Sequence, residues 1–97
     1  MSDYQTIWTI LCRRALSGTK PDQPFEISEV VPDVAQALQV TNPQAERMIA
    51  MLLGELDRLP DGRQFFAREG NAVVPLPEFA TVTADATVEL AAYPFEL

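Results

Sequence analysis

Among the residue types that most often catalyse reactions or bind metal ions, this chain has abundant carboxylates but almost no others. Its 97 residues include no histidine and a single cysteine, Cys12, so Ser-His pairs, Cys-His pairs and histidine metal sites are excluded. The 14 acidic residues form no recognisable acid–base or metal-binding motif, and the four glycines are isolated rather than grouped in a phosphate-binding loop. The sequence therefore predicts a protein that is not an enzyme and takes no metal, cofactor or small-molecule substrate.

The same totals describe a single globular domain. Hydrophobic residues make up 47% and charged residues 22% of the chain, which is long enough to bury one modest core. A lone cysteine fits a reducing cytoplasm, the first residues lack the pattern of a signal peptide, and no apolar run approaches the roughly 20 residues that span a bilayer. We expect a cytoplasmic domain with a core at 1–76 and an arm at 77–97.

A contact surface is predicted on one face of the helical segment that ends near Leu59. Ala50 and Gly54 are small residues one helical turn apart, and Met51 lies next to them. Small side chains let another element approach closely, and methionine packs adaptably. We therefore expect these three residues to belong to a partner interface.

Three helices are predicted before residue 60. The first covers Met1–Leu16, and its apolar residues recur at helical spacing. The second runs from about Glu29 to Gln39, after a short strand at 25–27, with Ser28 as its N-cap and Pro32 in its first turn. The third follows a break at Thr41-Asn42-Pro43-Gln44, where Thr41 and Gln44 match a capping box and Pro43 suits a first turn. The buried stripe of the first helix is predicted as Tyr4, Ile7, Trp8, Leu11 and Ala15.

Two short strands are predicted after the helices. They cover Arg63–Arg68 and Ala72–Leu76 and are joined by a turn at 69–71. Pro75 restricts the end of the second strand to an edge of the sheet, because proline has no N–H to donate.

The last segment, Phe79–Ala92, alternates between apolar and polar residues. A period of two favours extended strand, with a bend near 84–86, over the rival interpretation, a short helix from 83 to 93. An alternating strand can add to a partner's sheet, so residues on the apolar side extend the predicted partner interface. They are Val82, Val88 and Leu90.

From about Ile27 to Leu76 the chain resembles the winged helix-turn-helix family. The resemblance implies an α+β fold with a three-helix core and a β-hairpin wing at 63–76, here followed by an extended C-terminal β arm. It rests on the run Val34–Val40, the break Thr41-Asn42-Pro43, and Ala45, Arg47, Ile49 and Leu52 in the helix that follows.

The resemblance also implies a nucleic-acid site. In that family the second helix of the pair lies in the DNA major groove and its amino-terminal residues contact bases. By resemblance, Gln44 and Arg47 would read base edges, to which glutamine and arginine can bind bidentately, and Arg63 and Arg68 of the wing would contact phosphates.

The distribution of charge disfavours that role. The net charge is −7, with three acids and two arginines between 42 and 59 and two of each between 60 and 76. A surface that contacts several phosphates usually carries a clear surplus of lysine and arginine. We therefore expect a protein-interaction or dimerisation module whose partner is a second copy, with a DNA-binding transcriptional regulator as the alternative. The rival to the dimer is an arm that folds back over the third helix of its own chain.

Overall fold

The computed structural model describes residues 3–16, 23–59, 62, 64–76, 80–82 and 88–90. Over these residues the chain is an α+β protein with three helices and a small three-stranded antiparallel sheet, which confirms the predicted class. The helices are α1 (Asp3–Leu16), α2 (Ile27–Leu38) and α3 (Asn42–Leu56), and the strands are β1 (Phe25–Glu26), β2 (Phe66–Glu69), β3 (Ala72–Pro75), β4 (Ala80–Val82) and β5 (Val88–Leu90).

One apolar core joins the three helices to the sheet. Trp8 on α1 is buried, and its ring lies edge-on to Phe65 and Phe66, with centroids 5.3 and 5.5 Å away. Edge-to-face aromatic pairs contribute about 0.5–1.5 kcal/mol each beyond the area they bury, so this cluster ties α1 to the start of β2. The predicted stripe of α1 is buried except at Tyr4, which is partly exposed.

Helix α2 begins earlier than the sequence predicts. Its N-cap is Glu26 rather than Ser28: the Glu26 side chain accepts from the backbone N–H of Glu29, and the Glu29 carboxylate accepts from the backbone N–H of Glu26. Strand β1 runs directly into the helix, and the N–H of Ile27 donates to the carbonyl of Asn71 at 2.8 Å. Because the helix starts at Ile27, Pro32 lies inside it and not in the first turn.

The break between α2 and α3 follows the prediction closely. Gln39 has a left-handed backbone, with φ of 55°, and ends α2. Thr41 then caps α3, since its Oγ1 accepts from the N–H of Gln44 at 3.3 Å, and Pro43 lies in the first turn. Helix α3 ends at Leu56, three residues before the predicted end at Leu59.

The sheet has the order β1-β3-β2, so β3 is its central strand. Glu69 pairs with Ala72 across a two-residue turn at Gly70-Asn71, where Gly70 has φ of 61°, and the predicted three-residue turn is therefore one residue too long. Strand β2 starts at Phe66, later than predicted. Pro75 is tolerated in β3 because β1 pairs only with residues 72–73 of that strand. Pro75 therefore has no β1 residue opposite it.

The arm contains the strands that its alternation predicts. Strands β4 and β5 pair antiparallel, with Ala80 opposite Leu90 and Val82 opposite Val88. Val88–Leu90 is therefore extended, and the rival prediction of a helix from 83 to 93 is wrong there. The predicted bend at 84–86 lies outside the described residues.

Among the described helices, none combines the length and the apolar character that crossing a membrane requires.

Candidate protein-interaction site

Helix α3 buries one face and exposes the other. Its buried positions recur at helical spacing and pack into the core. The opposite positions form what we call the outer stripe of α3, at i, i+4, i+7 and i+11 along the helix and its closing turn. The buried residues are Ala45, Ile49, Leu52, Leu53 and Leu56, and the outer stripe is Arg47, Met51, Gly54 and Arg58.

Met51 stands out on this stripe. Its side chain is 55% exposed, and no other large apolar side chain among the described residues is exposed. A single exposed apolar residue is ordinary on a protein surface. Met51 is a candidate contact residue because Gly54, three positions later on the same stripe, borders open space among the described residues.

A groove of about 200 Å³ runs between α3 and β2 beside the outer stripe. A Cβ built on Gly54 would meet no atom of the described residues within 4 Å. The glycine is therefore not required by close packing among these residues, although glycine in a helix costs about 0.8–1.0 kcal/mol relative to alanine. The groove is lined by Ala50, Leu53, Gly54, Asp57, Phe66, Ala67 and Arg68.

Charges around the outer stripe nearly balance one another. Four acids, Glu46, Glu55, Asp57 and Glu69, and three arginines are exposed on α3, its closing turn and β2. Arg68 donates from Nε to the carbonyl of Gly70 at 3.0 Å, which holds its guanidinium near the hairpin turn. The arginines are Arg47, Arg58 and Arg68. This face is therefore close to neutral, as the sequence predicts.

The amino end of α3 borders an acidic cleft. The cleft has a volume of about 310 Å³ between α2, α3 and the hairpin turn, and its charged lining residues are Glu26 and Glu46. Gln44 is exposed nearby on the first turn of α3. A phosphate backbone approaching this end of the helix would meet two carboxylates, which repel it.

A second groove, of about 470 Å³, lies between α1 and α2 and includes Arg13 and Arg14. Arg14 contacts Glu29 on α2 through an ion pair of 2.5 Å, and its guanidinium carbon lies 5.2 Å from the centroid of the Phe25 ring. The hydrogen bonds from Arg14 and from the backbone of Glu26 lower the pKa of the Glu29 carboxyl below its ordinary value. Part of the positive charge on α1 is thus neutralised within the chain.

The structure brings some of the predicted site residues together and leaves others apart. Ala50, Gly54 and Arg68 line one groove, although Arg68 was assigned to the alternative DNA site, and Met51 is exposed on the same helix outside that lining. Gln44 and Arg47 are exposed farther toward the amino end of α3. Arg63 lies outside the described residues. The arm residues Val82, Val88 and Leu90 are placed by backbone register on one face of the β4–β5 pair, and their side chains lie outside the described part of the chain.

Cys12 is buried and chemically quiet. Burial raises the pKa of its thiol to about 12, so the reactive thiolate is scarce near neutral pH. In the part of the chain that the structure describes, no group of three or more cysteine, aspartate or glutamate side chains is placed to hold a metal ion.

Comparison of the chain with protein-family models, curated proteins and solved structures finds no match.

Proposed function

We propose that this protein is a non-enzymatic protein-interaction module on a winged-helix-like scaffold and that its partner is a second copy of the same chain. Three helices followed by the β2–β3 hairpin support the scaffold: α2 and α3 would be the helix-turn-helix pair and the hairpin would be the wing. The cytoplasm remains the predicted compartment.

One observation carries the proposal: the exposed Met51 shares the outer stripe of α3 with Gly54, which lines a groove between α3 and β2. An exposed apolar side chain and an adjoining open space on the same helix form a surface that is shaped to pack against another protein. Fully burying an exposed methionine contributes roughly 1.5–3 kcal/mol, and because Met51 is 55% exposed each copy in a symmetric dimer would gain about half of this. We expect a dimer of moderate affinity, because stable interfaces bury about 800 Å² on each side and one helix face supplies only part of that area.

Sedimentation velocity over a range of micromolar concentrations tests the proposal. The wild type is expected to shift from monomer to dimer as its concentration rises, and Met51→Glu is expected to remain monomeric because it places a charge in the contact. Ala37→Glu is the matched control, since Ala37 is an exposed apolar residue on α2. A wild type that is monomeric throughout this range would overturn the proposal.

The arm supports a second part of the same proposal. Its β4–β5 pair has strands of three residues, and a two-stranded hairpin is marginally stable by itself in water. The apolar face with Val82, Val88 and Leu90 would gain from packing against the partner. Val88→Glu should then weaken the dimer, whereas an arm that covers α3 of its own chain predicts a stronger dimer once the arm is loosened.

DNA binding is the second candidate, because Gln44, Arg47 and Arg68 are all exposed. The nearly balanced charge of the α3 face and the acidic cleft at its amino end speak against it. Fluorescence anisotropy with pooled duplex DNA at low salt, where electrostatic attraction is strongest, is expected to show no binding. Binding that Arg47→Ala weakens would replace the dimer proposal with this one.

A further inference from the structure

We draw no further inference here: the strongest candidate, the acidic cleft of about 310 Å³ between α2, α3 and the hairpin turn, carries none, because the Glu26 carboxylate already caps α2 and no buried polar side chain among the described residues is left without a partner to indicate a ligand.

Discussion

The side of the molecule formed by α1, α2 and β1 differs from the α3 face in how its exposed groups are satisfied. On the first side, Arg14 contacts both a carboxylate and an aromatic ring, and Glu29 accepts a backbone N–H as well as the arginine. On the α3 face, Arg47 and Arg58 have no ion-pair partner among the described residues. Arg14 and Glu29 therefore pair with each other within the chain, whereas Arg47 and Arg58 form no ion pair among the described residues.

The apolar residues of the two regions follow the same division. Phe25 is buried against the core, with Arg14 over its ring and Val73 paired beside it. Met51 is exposed next to an open space. Contacts within the chain explain the positions of Arg14 and Phe25. No contact among the described residues explains why Met51 is exposed on α3. Because of this difference, we expect a partner to bind on the α3 face.

The largest expected effect compares one apolar truncation in each region. Phe25→Ala should lower the free energy of unfolding by about 3–5 kcal/mol, because it removes a buried ring and leaves a cavity beneath Arg14. Met51→Ala should change the stability of the monomer by less than about 0.5 kcal/mol, since the side chain is mostly exposed. Urea denaturation at a concentration where the wild type is monomeric measures both. Similar losses in the two variants would mean that Met51 packs within its own chain.

Gly54→Ala sharpens the comparison because it separates stability from association. The new methyl group meets no described atom within 4 Å, and alanine is a better helix former, so the monomer should gain about 0.8–1.0 kcal/mol. Gly54 belongs to the proposed interface, so the added methyl group should weaken the dimer. Thermal denaturation and sedimentation velocity on one preparation provide the two measurements. A rise in stability without loss of dimer would remove Gly54 from the interface.

Local patterns in the sequence predicted α3 well. The Thr41 cap and the first-turn Pro43 depend only on neighbours within a few residues, so the start of the helix could be placed to the residue. The same periodicity separated the core positions from the outer stripe with Met51 and Gly54. Ala50 and Gly54 were for this reason predictable as members of one surface.

Contacts between distant segments explain what the sequence did not predict. The start of α2 depends on where β1 stops pairing with β3, more than 40 residues later, so Ser28 looked like a suitable cap although Glu26 takes that role. The far wall of the groove comes from Phe66 and Ala67 of β2, which no helical pattern connects to α3. Asp57 was not predicted either, because its place in the groove depends on that strand.

The smallest expected effect concerns pH and tests whether the α1–α2 side is held by its own contacts. The Glu29 carboxyl has a lowered pKa in the folded protein, so it contributes stability that is present above the pKa it has in the unfolded chain. That contribution is lost as the pH falls through the lowered folded pKa. An exposed ion pair is worth at most about 1 kcal/mol, so the effect is small and should weaken with salt.

The test compares wild type with Glu29→Gln by urea denaturation from neutral to acid pH. The wild type should be more stable near neutrality, and the two should converge in acid, because a protonated glutamate carries no more charge than glutamine. Glu55→Gln on α3 is the matched control: its carboxylate has no ion-pair partner among the described residues, so its stability difference from wild type should not follow this course. Were Glu55→Gln to show the same convergence in the dimer but not in the monomer, its carboxylate would have found its partner across the interface. The comparison between the two surfaces would then hold for the single chain and disappear on association.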